Sequence, residues 1–236
     1  MNIFISGADR GFGLGVTKKM LERGYTVFAG QYLPDWTELA ELKKQFANTL
    51  HLIPLDVGCD ENVEQAAVKV SELTESIDVL ISNAAIRGWN PEDTTDITDT
   101  KMMADVYNVN TLGSVRLLER FFPLLKKGTE RKVCFVSSEA GSIGDCWRSD
   151  FFWYAMSKAA LNRYARVMFN RYRPDGFKFR LYHPGWIQGY LSGQLNTAAT
   201  YTPDESAVFA MDYFFDQAVD EDQFVLHSYD GTDLSF

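Results

Sequence analysis

The feature that most constrains this chain is the exchange, from one end to the other, of short apolar runs for helical patterns. Ile3–Ile5, Tyr25–Ala29, Leu50–Leu55, Ile77–Ile81, Lys132–Val136, Phe177–Tyr182 and Gln223–His227 read as strands. They are short, β-branched or aromatic, and bounded by Gly, Asp, Asn and Pro. Between them lie longer stretches with helical spacing. The first runs through Leu14, Val16, Met20 and Leu21 to a C-capping Gly24, the next from Pro34 to Ala47. Others are predicted from Asp60, as cap, to Leu73, from Asp99 to Lys127 with a bend near Gly113, through Tyr154 to near Pro174, and from Pro203 to Ala218. Residues 86 to 98 and 184 to 202 read as irregular loops. Alternation of this kind predicts βαβ units joined by right-handed crossovers. The expected fold class is α/β: a doubly wound Rossmann fold with a seven-stranded parallel sheet and helices on both faces. No repeat or linker divides it, so residues 1–236 are expected to form a single domain.

Composition narrows the function. The formal charge of −9 argues against a broad nucleic-acid or anionic-membrane surface. No run of about 18 apolar residues predicts a membrane span. The chain starts directly in a strand pattern, so no cleaved leader is expected. Cys59, Cys134 and Cys146 are few and unevenly spaced, and the three histidines are scattered. Reduced thiols, a cytoplasmic location and no metal site are expected.

Two motifs carry chemistry. Gly7-x-x-x-Gly11-x-Gly13 stands between the first strand and the first helix. There glycines let the backbone approach a pyrophosphate, and the helix N-terminus offers it free N–H groups. Such turns also occur with no ligand. The second motif is Tyr154-x-x-x-Lys158. On a helix the two side chains share one face, about 6 Å apart along the axis. An ammonium there is expected to lower a phenol pKa from ~10 and make it a usable acid/base. Taken alone, this spacing is equally that of an ordinary amphipathic helix.

In chain order, Ser6-Gly7-x-x-x-Gly11-x-Gly13, Asp56-Val57, Asn83-Ala84-Ala85, Asn110, Ser138, Tyr154-x-x-x-Lys158 and Pro184-Gly185 resemble the short-chain dehydrogenase/reductase family over essentially the full length. Ser137–Asp145, His183-Pro-Gly-Trp186 and Tyr229-Asp-Gly231 are similar to its C-factor and sniffer-type carbonyl reductase branch. The resemblance implies Tyr154 as general acid/base, Lys158 on the nicotinamide ribose, Ser138 hydrogen-bonded to the substrate oxygen, and Asn110 holding a water that links Lys158 to solvent. It also implies cofactor contacts from Gly7, Asp9, Arg10, Gly11, Phe12 and Gly13. Asp56 and Val57 would take the adenine, Asn83 and Ala84 the adenosine ribose, and Pro184, Gly185 and Ile187 the nicotinamide. Three positions depart from the pattern: Ser6 replaces Thr, Ala85 replaces Gly, and Gly189 and Tyr190 lie where a carboxamide-binding Thr is usual.

The second strand ends in Gly30-Gln31-Tyr32, without the acid that would bind the ribose of NAD. Arg10 matches the family's basic position for NADP, so NADP(H) is favoured over NAD(H), although Asp9 adds a negative charge beside it. Ile86, Trp89, Ile143, Trp147, Phe151, Phe152, Trp153, Trp186 and Tyr190 fall in loops at the carboxyl ends of the strands. They are either the wall of an apolar substrate pocket or core and subunit contacts. Arg87 and Arg148 are the basic side chains there. The expected activity is interconversion of a hydrophobic aldehyde or ketone with its alcohol. The alternative is a nucleotide-binding signalling or sensor protein with little turnover. The family implies a homodimer or homotetramer, built on the long helix 99–127 and the Tyr154 helix.

Overall fold

In the computed structural model, which describes residues 1–88 and 99–236, eight strands form one sheet. They are β1 (Asn2–Ile5), β2 (Thr26–Gln31), β3 (Leu50–Pro54), β4 (Val79–Ser82), β5 (Lys132–Val136), β6 (Lys178–His183), β7 (Leu226–Ser228) and β8 (Asp233–Leu234). Their order is β3-β2-β1-β4-β5-β6-β7-β8. The first seven pair in parallel, as expected from the alternation. The two-residue β8, which the sequence pattern does not announce, folds back antiparallel onto β7. The helices are α1 (Gly11–Glu22), α2 (Thr37–Gln45), α3 (Asp60–Leu73), α4 (Thr100–Tyr107), α5 (Gly113–Lys127), α6 (Phe152–Tyr172) and α7 (Pro203–Phe215). Among the described residues no helix is long and apolar enough to cross a membrane.

Strand periodicity of two sorts the core into two layers. Phe4, Phe28, Leu80, Val133 and Phe135 face α3, α5 and α6. Their neighbours Ile3, Ile5, Val27, Ile81, Cys134 and Val136 face α1, α2 and α7. Both faces are covered, which is why these strands read as unbroken apolar runs. The α1 and α7 backbones pass so close that a Cβ on Gly15 would lie 2.7 Å from the Pro203 carbonyl oxygen. α7 starts at Pro203 because Thr202 and Glu205 form a reciprocal capping box.

Some boundaries differ from expectation. The helix predicted over 99–127 is two helices joined by a π-turn, Asn108–Leu112. Its start is as predicted, with the Asp99 carboxylate accepting from the Lys101 and Met102 N–H groups at 3.0 Å each. Gly113 marks the end of the π-turn because a Cβ there would meet Val57 at 2.9 Å. The helix predicted to reach Ala218 stops at Phe215, where Asp216 instead accepts from the Ala218 N–H. The stretch 184–202 is not featureless: Ile187 bridges Tyr201, and Gly189 bridges Asn196.

Two strand residues bring buried cations. Lys132 donates to the Phe214 carbonyl at 2.9 Å, and Arg180 forms a fork with Glu221 at 2.7 and 2.6 Å. Only 1% of each cationic side chain is exposed. Removing one member of a buried pair leaves the other charge uncompensated. Glu221→Ala is expected to lower unfolding free energy by about 3 kcal/mol, read as a lower urea midpoint at unchanged slope.

Candidate active site

Strand order reverses between β1 and β4, so the loops leaving their carboxyl ends diverge and open a crevice. The first wall is the glycine turn. Gly7 and Gly11 have φ of +66° and +57°, which favours glycine. At Gly13 a Cβ would lie 2.1 Å from the Gly7 carbonyl oxygen and 2.5 Å from Asn83 Nδ2, so no side chain fits. α1 starts with no side-chain cap and no acid in its first turn, and its Gly11, Phe12 and Gly13 N–H groups face the crevice end. This cradle fits a dinucleotide pyrophosphate. Asn83 is engaged by the turn, donating from Nδ2 to the Ser6 and Gly7 carbonyls at 2.9 Å each. Ala84 N–H donates to Ser6 Oγ at 3.0 Å.

Asp9 points into the protein rather than the crevice. Its carboxylate accepts from the Tyr32 and Leu33 N–H groups at 3.1 and 3.0 Å, a strut between the glycine turn and the loop after β2. The Arg10 guanidinium lies against both Trp36, at 4.7 Å, and Tyr190, at 4.8 Å, two rings that also meet edge to face. A cavity of about 240 Å³ lies at the ends of β2 and β3, lined by Gln31, Tyr32, Leu55, Asp56 and Asn62. Asp56 Oδ1 accepts from Gly58 N–H at 2.8 Å. Val57 is buried against Gly113, and its carbonyl accepts from Arg116 Nη1 at 3.2 Å.

Asn110 sits in the π-turn, a helical irregularity common at functional sites. It is 1% exposed, and its side chain grips the backbone after β4. Oδ1 accepts from Ile86 N–H at 2.8 Å, while Nδ2 donates to the Ile86 carbonyl at 2.8 Å and to Ser157 Oγ at 3.0 Å. The side chain is therefore a clamp on the crevice wall, and both amide donors are engaged by protein.

Tyr154 and Lys158 share one face of α6, with Lys158 Nζ 5.7 Å from the phenol ring centroid. The first residues of that helix are set by Phe151, whose φ of +51° turns the chain under the stacked Arg87 guanidinium, 4.2 Å from its ring. Lys158 Nζ donates to the Val136 carbonyl at 2.9 Å, and burial pushes its amine down to about 7. The Tyr154 phenol is pushed up, first by burial and then by the Glu139 carboxylate, with Ser138, Arg148 and Arg87 pulling the other way. The expected depression of Tyr154 by Lys158 is thus not what this environment produces. An amine held near 7 is only partly charged at neutral pH, and the Glu139 carboxylate opposes ionisation of the phenol.

Ser138 caps the short 3-10 turn Glu139–Gly141, accepting from Ala140 N–H at 3.1 Å. Its hydroxyl donates to Glu139 Oε2 at 2.6 Å. Glu139 Oε1 accepts from the Arg148 guanidinium, and Oε2 lies 3.5 Å from His183 Nδ1. Burial alone would raise the Glu139 pKa, but His183, Ser138 and Arg148 together hold it below the usual carboxylate range. Sequence reading missed Glu139. Its one signal was an acid immediately after the serine in a loop with few other charges.

On the far wall the Pro184 carbonyl accepts from Ser206 Oγ at 2.7 Å, and Gly185, at φ +84°, leaves no room for a Cβ against Tyr229. Ile187 is fixed by its bridge to Tyr201. Ile143, Trp147 and Trp186 are 75%, 74% and 58% exposed, an open apolar rim. Trp153 is core, donating its indole N–H to the Arg87 carbonyl at 2.7 Å. Tyr190 belongs to the Arg10 stack, and Trp89 lies outside the described residues.

With this geometry in place, a family model described as short chain dehydrogenase matches residues 1–200. An uncharacterised oxidoreductase of Schizosaccharomyces pombe is 32% identical over 251 aligned positions, covering 99% of this chain and 97% of its own. C-signal of Myxococcus xanthus is 39% identical over 121 residues, 51% of this chain and 71% of its own. The structure of an NADPH-bound carbonyl reductase from chicken fatty liver is similar at TM-score 0.89 and 29% identity, over 100% of this chain and 94% of that one.

The depressed Lys158 pKa has a stability consequence. Between about 7 and its unfolded value near ~10.4, the unfolded chain binds a proton that the folded chain does not. That penalty is full below pH 7 and fades as pH rises toward the unfolded value. Lys158→Met is expected to stabilise the fold more at pH 6 than at pH 9, checked by urea unfolding at both.

Proposed function

The chain belongs to the short-chain dehydrogenase family, and we propose that it is an NADP(H)-dependent oxidoreductase that interconverts an aldehyde or ketone, hydrophobic rather than charged, with its alcohol. The observation that carries this reading is Lys158 near the Tyr154 ring and bound to the last carbonyl of β5, which Ser138 follows, beside a glycine turn in which Gly7 and Gly13 leave no room for a Cβ.

In this reading the α1 N-terminus takes the pyrophosphate and Asp56 and Val57 the adenine. Asn83 and Ala84 line the adenosine ribose, Lys158 holds the nicotinamide ribose hydroxyls, and Pro184, Gly185 and Ile187 flank the nicotinamide. Once bound, the cofactor supplies or accepts the hydride. Tyr154 does the proton work at the substrate oxygen. A phenol whose pKa is raised stays protonated through neutral pH, which suits it to donate to a carbonyl oxygen. Arg10, kept in place by Trp36 and Tyr190, supplies a planar cation for the extra phosphate of NADP. The exposed Ile143, Trp147 and Trp186 supply apolar contact to the substrate. Tyr107 and Leu112 on the α4–α5 side and Met156 and Val167 on α6 are exposed apolar groups, which supports self-association through these helices. The likeness to C-signal favours a second reading, a signalling protein of the same fold, and turnover decides between them.

Tyr154→Phe is expected to reduce kcat for NADPH-dependent aldehyde reduction by about 10²–10⁴-fold with cofactor binding retained. A near wild-type rate removes Tyr154 from the mechanism. Arg10→Ala is expected to raise KM for NADPH about tenfold or more while changing KM for NADH little, measured in parallel titrations.

A further inference from the structure

We propose that Ser235 is a positioning residue of the substrate side: it clasps the loop between β5 and α6 and so holds Ile143 and Trp147 where a hydrophobic aldehyde or ketone lies against them. The proposal rests on the oxidoreductase reading above and deepens it.

The clasp joins Ser142, Asp145 and Ser235. Ser142 Oγ donates to the Ser235 carbonyl and accepts from the Asp145 N–H at 3.0 Å. The Asp145 carboxylate accepts from the Ser235 N–H at 2.6 Å and from Ser235 Oγ at 2.7 Å, both through Oδ2. The loop therefore engages the donor and the acceptor of the Ser235 backbone. Gly144 passes so close that a Cβ there would collide with Ser235 Oγ.

Both ends of the clasp are anchored elsewhere. Ser235 follows directly on β8, and Phe236 stacks on Phe224 with ring centroids 5.8 Å apart. The Arg166 guanidinium of α6 lies 5.1 Å from each of these rings and donates to the Phe224 carbonyl at 3.0 Å. Ser142 is 2% exposed and closes the 3-10 turn after Ser138, its N–H donating to the Glu139 carbonyl at 2.9 Å. Residues 143–147 lack such support. Among the described residues, no hydrogen bond outside the clasp ties them to the rest of the fold. Yet Ile143 and Trp147 stand on this segment, largely exposed. Apolar side chains on a loosely bonded loop sample many positions. Fixing the middle of the loop removes in advance the entropy that a substrate would otherwise have to remove on binding. The clasp thus acts on which substrates bind, not on hydride or proton transfer.

The test is steady-state reduction by the full chain with NADPH and two aldehydes: 2-naphthaldehyde, large enough to reach the rim, and propanal, too small to do so. Asp145→Ala removes the acceptor for both Ser235 donors at an exposed position. It is expected to raise KM for 2-naphthaldehyde about tenfold, the effect of losing roughly one methylene of apolar contact, with KM for propanal and for NADPH unmoved. Asp145→Asn keeps a carbonyl oxygen in the place of Oδ2 and is expected to retain the low KM. Because the clasp acts through the rim, adding Asp145→Ala to Ile143→Ala/Trp147→Ala is expected to cost nothing further. An equal change for both aldehydes, no change for either, an Asp145→Asn that behaves as Asp145→Ala, or an additive loss on the rim variant overturns the proposal. If Asp145→Ala does not fold, Ser142→Ala opens the clasp from its other side and is judged by the same outcomes. Tyr154→Phe run alongside separates the two levels. A fully active Tyr154→Phe defeats the functional reading; an inactive one beside an unselective Asp145→Ala defeats only the role given to Ser235.

Discussion

The crevice depends on one buried serine hydroxyl at the place where the sheet reverses order. Ser6 Oγ accepts from the Asn83 and Ala84 N–H groups at 3.0 Å each, and Asn83 Nδ2 returns two hydrogen bonds to the Ser6 and Gly7 carbonyls. These four bonds join the ends of β1 and β4, whose chains leave in different directions. Diverging loops at a switch point would otherwise leave backbone groups unpaired in the interior, which is costly. With the junction closed, Gly13 packs beneath Asn83 and the α1 N-terminus is aimed outward. The fold and the cradle are two results of one set of hydrogen bonds.

Buried charge is handled in three ways. Arg180 has a carboxylate fork, Lys132 has a carbonyl and a more distant Glu130, and Lys158 has one carbonyl. The pairing decides the outcome. Glu221 holds the guanidinium above its ordinary pKa against the opposing effect of burial, whereas Lys158, with no carboxylate in contact, is pulled down to about 7. The fold thus keeps one amine poised near neutrality beside the phenol, at a cost in stability. The acid that acts on Tyr154 is Glu139, which accepts the Ser138 proton and is paired with Arg148.

Much of this was legible in the residues, and the rest was hidden for identifiable reasons. Strand identity followed from apolar runs, because a sheet covered on both faces writes its strands as runs. β5 was placed residue for residue, and Tyr154 and Lys158 do share a face of α6 because their spacing is helical. The π-turn was hidden, since its cause is tertiary: the Ile86 backbone, gripped by Asn110, and the Val57 side chain against Gly113. The direction of the Tyr154 shift was also out of reach. Helical spacing reveals that Lys158 is near, but neither its burial nor the Glu139 carboxylate arriving from the end of β5. Asp9, beside Arg10 in the chain, looked like a charge facing the cofactor, and only the fold reveals that it props up the loop after β2.

β8 bears on how copies of this chain can meet. Leu234 and Asp233 pair with Leu226 and His227, so the outer rim of β7 is hemmed by the chain's own tail. What remains outward is a ribbon two residues long, and short edge strands resist lateral joining. At the opposite margin β3 finishes in Pro54, which has no N–H to offer. A continuous sheet shared across subunits is disfavoured at both margins, which leaves the strands free of any demand that contacts elsewhere on the surface would make.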